Sequence, residues 1–292
     1  MMSRYQATKE ITEGLAQGLS ALFESKKYQE YLKAMSKFHN YSFNNTLLIA
    51  MQKPDATLVA GYHTWEKQFG RHVKSGEKAI RILAPASYKK KIKSEGDTAA
   101  DDAPESESVI NIMAFKPVYV FDISQTEGKD IPIVGTDELH FSITNFNQFM
   151  SSLSNISPVP IEYKNIPSGA KGYYSPSEKI IVINKGMAEA QIVKTAIHEI
   201  SHAILHDTDN IDSNYAEKKS RSTKEVEAES VAYTVCHHFG IDTSDYSFAY
   251  IAGWSSGKEL KELKSSMELI RKTASEIISS IETSFNTLKK GA

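Results

Sequence analysis

The chain has 292 residues, 40% of them hydrophobic and 24% charged, so it can fill one large hydrophobic core or two ordinary ones. No run reaches the roughly 18 continuous apolar residues that a membrane-spanning helix needs. The first ten residues lack the apolar core of a secretory signal. Cys236 is the single cysteine, which excludes disulfides as the frame of the fold and excludes a cysteine-cluster zinc site. These features predict a soluble protein of the reducing cytoplasm.

The net charge of −2 conceals an uneven distribution. Residues 1–93 carry 16 Lys and Arg against 7 Asp and Glu, whereas residues 94–292 carry 18 against 29. A basic first third joined to an acidic remainder is typical of a chain in which one part meets a polyanion. Chance surface charge explains the asymmetry equally well when charge is considered alone.

The first part of the chain predicts mostly helix, followed by extended segments. Residues 4–37 repeat apolar side chains at helical spacing, and a short helix capped by Ser42 or Asn44 follows them. An extended run then enters a turn at Gly61, a short helix closes at Gly70, and a hairpin leads into a strand over 79–83.

Residues 38–93 interleave aromatic side chains with cationic and amide groups. Rings that stack on bases and cations that neutralise phosphates are the ingredients of single-strand nucleic-acid binding. The alternative, which composition alone favours, is that most of these rings lie in the core and that the lysines are solvated. The candidate nucleic-acid contacts are Asn44, Asn45, Tyr62, Trp65, Lys67, Arg71, Lys74 and Lys78.

Residues 94–108 hold six acidic side chains and no basic one, and they predict a mobile loop between two strands of the first domain. A strand-like segment over 109–122 follows the loop. The first domain is then expected to span 1–125 and a polar linker 126–135.

The second domain is expected to span 136–292. It begins with a helix and a short strand, and a hairpin over 172–184 turns at Pro176. Such a hairpin often supplies an edge strand along which an extended substrate forms backbone hydrogen bonds. A strong helix over 224–239 and a long amphipathic helix near the end complete the domain.

The segment 193–207 contains the motif H-E-I-S-H, with His198 and His202 four residues apart and Glu199 after the first histidine. On a helix this spacing stacks both imidazoles on one face, which supplies half of a tetrahedral zinc site. Glu199 lies about 100° around the helix, so it can reach a metal-bound water without being a ligand. The alternative is an amphipathic helix that carries two surface histidines.

A catalytic zinc needs a third protein ligand, and the helix over 224–239 offers three glutamates. Glu227 ranks first because small residues beside it permit close approach, Glu229 ranks second and Glu225 third. His206 lies about 11 Å along the helix axis from His198, which is too far to share one ion. It is expected to cap the helix or to support a ligand. The pair His237 and His238 is expected to cap a helix or lie on the surface.

Two sets of motifs resemble known families. H-E-I-S-H-A-I-L-H followed by E-V-E-A-E-S-V-A-Y resembles the ImmA/IrrE-type zincin pattern, in which a ligating glutamate precedes an alanine. The blocks Y-S-F-N-N-T-L-L-I-A-M-Q-K-P, G-Y-H-T-W-E-K-Q-F-G-R-H-V-K-S-G-E-K and V-F-D-I-S-Q-T-E-G resemble the N-terminal domain of ArdC-type antirestriction proteins. Those proteins join a domain that binds single-stranded DNA to a metalloprotease-like domain, and they travel on conjugative plasmids and transposons.

The resemblance implies an α+β protein of two domains: a module that binds single-stranded DNA and a zincin-like (gluzincin) metallopeptidase domain. It implies His198, His202 and Glu227 as ligands of Zn²⁺, with manganese as the other metal to consider. Glu199 would act as the general base on the zinc-bound water, and Tyr173 or His206 would help to hold the oxyanion.

Two other hypotheses remain open. In the first, the protein binds and shields single-stranded DNA, and its metal only braces the fold. In the second, both domains act together as a protease that DNA switches on and that cuts a DNA-bound protein. The peptide substrate and the oligomeric state do not follow from the sequence.

Overall fold

The computed structural model describes residues 4–93, 107–131, 146–207 and 219–291. The helices are α1 (Arg4–Leu22), α2 (Ser25–Lys37), α3 (Phe43–Gln52), α4 (Tyr62–Lys67), α5 (Phe146–Ile156), α6 (Glu189–Leu205), α7 (Arg221–His238), α8 (Ile251–Ser255) and α9 (Leu260–Gly291). The strands are β1 (Val59–Gly61), β2 (Arg71–Val73), β3 (Ile80–Lys93), β4 (Glu107–Asp122), β5 (Thr126–Gly128), β6 (Ile161–Lys164), β7 (Gly172–Ser175) and β8 (Ile180–Asn184). Among the described residues, none of the helices combines the length and the apolar character that a membrane span requires.

The first sheet is built on the long antiparallel pair of β3 and β4, which runs from Ile80 opposite Val120 to Lys93 opposite Glu107. Strand β1 pairs with the other side of β4, so the strand order is β1–β4–β3 and β3 is an edge. Side chains alternate between the two faces of a strand. Ile80, Ile82 and Val120 therefore share one buried face, which packs against residues of α1, α2 and α3.

Helix α3 satisfies part of the free edge of β3 through two amide side chains. Asn45 donates to the carbonyl of Leu83 and accepts from its N–H, both at 2.9 Å. Gln52 forms the same pair of bonds with the backbone of Arg81, at 2.9 Å each. Ser42 caps the helix by accepting from the N–H of Asn45, as one of the two predicted caps. This amide pairing protects an edge that would otherwise be open to another strand.

The structure differs from the predicted linker at its beginning. Thr126–Gly128 forms β5, which pairs antiparallel with β2 of the first domain, so these residues are part of a small sheet. The predicted acidic loop lies largely outside the described residues, at 94–106, and its last two residues already belong to β4. Residues 132–135 of the predicted linker also lie outside the described residues.

Asp122 joins the end of β4 to the segment before β1. Its buried carboxylate accepts from the N–H groups of Thr57 at 2.7 Å, Leu58 at 3.1 Å and Ser124 at 2.9 Å. Burial acts to raise the pKa of this carboxyl, but the hydrogen bonds outweigh it and the pKa is lowered. The ionised carboxylate is therefore the form that stabilises this corner.

We expect Asp122→Ala to lower the free energy of unfolding by about 3 kcal/mol at neutral pH, because buried N–H groups lose a charged acceptor. The contribution should be full above pH ~4, the unfolded pKa, and be lost as the pH falls through the lower folded pKa. Urea unfolding at pH 7 and at pH 3 measures both effects. Asp55→Ala, at an exposed carboxylate beside Lys53, is the control. An equal loss of stability at both pH values would contradict this account.

The second sheet and the helices on it position the motif helix. Strand β8 is central, with β6 parallel on one side and β7 antiparallel on the other. The predicted hairpin is confirmed by β7 and β8. Strand β8 is buried through Ile181, Val182 and Ile183 and supports α6, and α7 packs against α6.

The largest buried cluster contains residues from both predicted domains. Leu32 and Met35 of α2 lie in it together with Val231 of α7 and Ile278 of α9. The hydroxyl of Tyr28 on α2 also hydrogen-bonds to that of Ser230 on α7 at 2.7 Å. The predicted division at 125–136 stays a prediction, and the core is continuous across it.

Candidate metal centre and nucleic-acid surface

Helix α6 confirms the predicted helical spacing of the H-E-I-S-H motif. Ile197, Ile200 and Ala203 are fully buried and fix which side of the helix faces the core. His198 and His202 share a face toward α7, with ring centroids 4.7 Å apart and Nε2 atoms 3.1 Å apart. Two nitrogens this close at the rim of a cleft can bind one ion together.

The third group beside these nitrogens is Glu225. Its Oε2 lies 3.6 Å from the Nε2 of His198 and 3.6 Å from that of His202. Donor atoms held about 2.1 Å from a tetrahedral Zn²⁺ are about 3.4 Å apart, so the three observed separations fit one ion. Hydrogen bonds with His198 and His202, together with the charges of these histidines, lower the pKa of the Glu225 carboxyl, which favours its ionised form. Two imidazoles and a carboxylate are a donor set suited to a divalent metal.

Glu227, predicted as the third ligand, does not reach the two histidines. Residues that are two positions apart on an α-helix are rotated by about 200° about its axis. When Glu225 faces the two histidines of α6, the side chain of Glu227 therefore points away from them. Glu227 is fully buried and accepts from Lys219 at 2.7 Å and from the hydroxyl of Ser266 at 2.7 Å. The ranking that placed Glu225 third is therefore corrected by the geometry.

His206 connects Glu227 to the candidate ligand His202. The Nδ1 atoms of the two histidines are 3.0 Å apart, and the Nε2 of His206 is 2.9 Å from Glu227. If the Nε2 of His202 is kept for a metal, its Nδ1–H donates to His206, and His206 in turn donates its Nε2–H to Glu227. Burial lowers the pKa of His206 and favours this neutral tautomer. The predicted supporting role of His206 agrees with these contacts.

Glu199 lies on the neighbouring side of α6, in the wall of the cleft, and only 8% of its surface is exposed. Burial raises the pKa of its carboxyl, although His198, His202 and a hydrogen bond from the backbone N–H of Tyr174 act in the opposite direction. That N–H holds the carboxylate in place. Glu199 is therefore a fixed, partly desolvated base beside the histidines.

Strand β7 forms one side of the cleft and is an edge of its sheet. The N–H of Asn184 donates to the carbonyl of Lys171, so in this register Gly172 and Tyr174 direct their backbone groups away from β8. A Cβ on Gly172 would lie 2.6 Å from Thr195 of α6, which explains the glycine at this close approach. Two cavities of about 350 and 680 Å³ adjoin Gly172, His198 and Glu199. The cleft thus extends along the strand on both sides of the histidines.

Asp207 anchors the hairpin to the end of α6. Its buried carboxylate accepts from the hydroxyl of Tyr174 at 2.5 Å and from Lys179 at 2.7 Å. Asp207 therefore links β7 and the turn before β8 to the end of the motif helix.

The other candidates near the centre occupy different positions. Glu229, ranked second as a ligand, lines the smaller cavity and accepts from the hydroxyl of Tyr250. Tyr173 is 41% exposed and lines the larger cavity, whereas His206 is buried. His237 and His238 lie at the far end of α7 from Glu225 and bond to Ser36.

Two of the predicted nucleic-acid contacts are structural. Trp65 is fully buried, and its indole N–H donates to the carbonyl of Phe121 at 2.9 Å, so its ring is not available for stacking. The amide of Asn45 uses both its donor and its acceptor on Leu83 at the edge of β3. The side chains of Trp65 and Asn45 therefore stabilise the domain through internal contacts and are not available to bind a nucleic acid.

Arg71 and Lys74 also make internal contacts. The guanidinium of Arg71 donates to the hydroxyl of Thr126 at 2.7 Å and to the carbonyl of Lys129 at 2.6 Å, which ties β2 to β5 and the segment after it. Lys74 donates to the carbonyl of Ser124 at 3.0 Å. The ammonium of Lys74 is on the surface and can still contact a ligand. The guanidinium of Arg71, in contrast, uses most of its hydrogen-bond donors inside the protein. Of the remaining candidates, Tyr62, Lys67 and Lys78 are exposed and Asn44 is half-buried.

Two exposed aromatic residues were not among the predicted contacts. Phe115 is 58% exposed and Tyr119 is 55% exposed, and both belong to the outer face of β4 together with Phe121. The ring of Phe121 lies 6.4 Å from that of Tyr62, which continues the aromatic surface onto α4. The signal was present in F-K-P-V-Y-V-F, where the rings lie two or four residues apart, on the face of the strand opposite the two valines.

Fold and site together define an α+β protein in which a small-sheet module precedes a zincin-like domain. A family model of the N-terminal domain of the anti-restriction factor ArdC matches residues 3–121, and one of the IrrE N-terminal-like domain matches residues 158–248. An uncharacterized Bacillus anthracis protein, pXO2-81, is 30% identical over 98% of this chain, which spans 53% of that relative's length.

Two solved structures of the antirestriction protein ArdC from plasmid R388 are also similar. The metal-free one is 21% identical with a TM-score of 0.49 and covers 82% of each chain. The Mn(II)-bound one is 19% identical with a TM-score of 0.45 and covers 82% of this chain and 83% of its own. The chain therefore combines, in this order, a domain similar to the N-terminal domain of ArdC and a domain similar to that of IrrE.

Proposed function

We propose that the protein is a divalent-metal peptidase that also binds single-stranded DNA, and that it serves antirestriction on a mobile element. The observation that supports the peptidase part is the convergence of three ligand atoms beside a buried carboxylate and an open strand edge. His198, His202 and Glu225 would hold the metal, with zinc as the expected ion. The cytoplasm is the expected site of action.

A bound metal would polarise the scissile carbonyl and make water a better nucleophile. The other contributions come from the chain itself. Gly172 offers outward-facing backbone groups to an extended peptide, which orients it along the cleft. Glu199 is placed to accept a proton from the attacking water and to return it to the leaving amine. Tyr173, on the larger cavity, is the candidate donor to the oxyanion.

A peptide-cleavage assay tests this part of the proposal. Metal-stripped protein is incubated with a mixture of unfolded proteins and peptides, after loading with Zn²⁺ or Mn²⁺, with and without single-stranded DNA. Metal-dependent cleavage would support the proposal, and stimulation by DNA would favour a protease that DNA switches on. The absence of cleavage under every condition would leave a DNA-binding protein whose metal is structural.

The exposed face of the first sheet supports the DNA part of the proposal. Side chains on one face of a strand repeat about every 6.8 Å. Phe115 and Tyr119 are four residues apart on β4, so they lie two such repeats apart on the same exposed face. Arg81 stands directly opposite Tyr119 on β3, and Tyr62 extends the row. Rings with adjoining cations form a platform on which successive unpaired bases can stack.

We expect Tyr119→Ala and Phe115→Ala each to weaken binding of a single-stranded oligonucleotide by about 5–150-fold, because each removes about 1–3 kcal/mol of stacking. Fluorescence anisotropy at two salt concentrations measures the loss, together with the salt sensitivity that phosphate contacts produce. Tyr163→Ala removes a similarly exposed tyrosine from β6 and is the matched control. Equal affinities for all three variants would place the DNA elsewhere on the protein, and the absence of wild-type binding at low salt would reject DNA binding.

A further inference from the structure

We propose that His39, His238 and Glu282 form a second divalent-metal site, separate from the centre on α6. One ligand atom from each of the three side chains lies within 4.8 Å of the other two. His238 follows Glu225 by 13 positions on α7, which is on the order of 20 Å along the helix axis. The two sites therefore cannot share an ion.

The surroundings of His238 are those of a metal-binding imidazole. Its Nδ1 lies 2.7 Å from the carbonyl of Ser36, which can only accept, so Nδ1 carries a proton. A ligating histidine typically donates its other ring N–H to a backbone carbonyl in this way. Its Nε2 faces Glu282 at 2.9 Å. The lone pair on this Nε2 and the carboxylate oxygen of Glu282 would repel each other unless a cation, either a proton or a metal ion, lies between the two atoms.

His39 supplies the third group from the turn between α2 and α3. Its side chain is buried, and its ring meets that of His238 edge to face with centroids 5.1 Å apart. The Nδ1 of His39 is 3.4 Å from the hydroxyl of Ser275. This contact leaves the Nε2 of His39 as the atom that can bind a metal, in addition to the Nε2 of His238. Two neutral imidazoles and one carboxylate give a net negative charge and suit zinc and similar divalent ions.

The nearby arginine does not oppose the site with an uncompensated charge. Arg271 donates to the carboxylate of Glu268 at 2.6 Å and to the backbone carbonyl of His39 at 3.3 Å. The side chain of Glu282 is 32% exposed, which gives an ion a path from solvent. The site is thus enclosed on the side of His39 and open on the side of α9.

The location indicates what an ion would do there. Glu282 lies on α9, after the residues that either domain match covers, whereas His39 lies within the ArdC-type N-terminal match. An ion bound by both would join the first domain to the last helix and stabilise their contact, because it binds the folded chain in preference to the unfolded one. This inference does not depend on peptide cleavage in the cleft.

The experiment uses the full-length chain with His198→Ala and His202→Ala, which disables the first centre. After dialysis against Zn²⁺ and removal of free ion, we expect about one equivalent of zinc to remain by elemental analysis. Adding Glu282→Gln should weaken zinc binding by about tenfold or more, because it removes a charged ligand. Glu276→Gln, at an exposed glutamate on the same helix, is the matched control and should leave zinc binding unchanged.

A Co²⁺ titration of the otherwise unaltered chain provides a second measurement that does not depend on how the double variant folds. Visible absorption should saturate at two equivalents in the wild type and at one equivalent in Glu282→Gln. Saturation at one equivalent in both proteins, or equal zinc retention by Glu282→Gln and Glu276→Gln, would overturn the proposal. The cluster would then be an imidazolium–carboxylate pair.

Discussion

Glu199→Gln is expected to lower the proposed peptide cleavage by orders of magnitude, while the fold and the affinities for metal and single-stranded DNA stay those of the wild type. Glutamine keeps the shape of the side chain and can still accept the N–H of Tyr174, but it cannot take a proton from water. General-base catalysis contributes about 10²–10⁴-fold, so the rate should fall by that factor. Cleavage rates of the metal-loaded variant and wild type, with metal content measured in the same samples, provide the test.

Glu178→Gln is the control for this experiment, because Glu178 is an exposed glutamate on the turn between β7 and β8. It should leave the rate unchanged. Cleavage by Glu199→Gln at the wild-type rate would reject the role assigned to Glu199. If protection from restriction in cells survives Glu199→Gln unaltered, peptide cleavage has no part in that protection, and the shielding hypothesis is favoured.

Substitutions of the two glutamates of α7 are expected to have different effects on metal affinity and on stability. Glu225→Gln should lower metal affinity by more than about 100-fold, the upper end of what loss of a supporting residue costs. It should change the stability of the metal-free protein by only about 0.5 kcal/mol, because the side chain is 47% exposed. Isothermal titration with Zn²⁺ and urea unfolding of the metal-free protein measure the two quantities.

Glu227→Gln should show the opposite pattern. It leaves the buried ammonium of Lys219 without a counter-charge, so the metal-free protein should lose about 3–5 kcal/mol of stability. Metal affinity of the folded fraction should fall by only about 10–100-fold, because Glu227 acts on His202 through His206. If Glu227→Gln removes the metal and Glu225→Gln does not, the predicted ligand was right and the assignment made from the structure is wrong.

Much of the fold followed from local pattern. The spacing of apolar residues predicted α6, and the hairpin of β7 and β8 was predicted from alternating residues around a proline turn. Both elements are determined by contacts within about fifteen residues, for which side-chain periodicity is a direct signal. The N-terminal helices were also predicted, but their packing against α7 was not, because residues 202 positions apart meet there.

Local sequence pattern also could not predict which aromatic rings are exposed and which are buried. Trp65 and Tyr62 are three residues apart on one short helix, yet Trp65 is buried and Tyr62 is half exposed. Composition could not separate them, since an aromatic ring has the same chemistry in a core and on a binding surface. The packing of Val118 and Val120 against the core, on the opposite face of β4, decides that Phe115 and Tyr119 point outward.

The sequence by itself determined the candidate histidines, the candidate base and the helix that carries them, because four-residue spacing on a helix fixes which side chains share a face. Only the tertiary structure decided which glutamate joins them. Glu225 and Glu227 lie on one predicted helix, and the choice between them depends on how α7 is rotated about its axis against α6. That rotation is set by the burial of α7 between α2, α6 and α9, which involves contacts far apart in the chain.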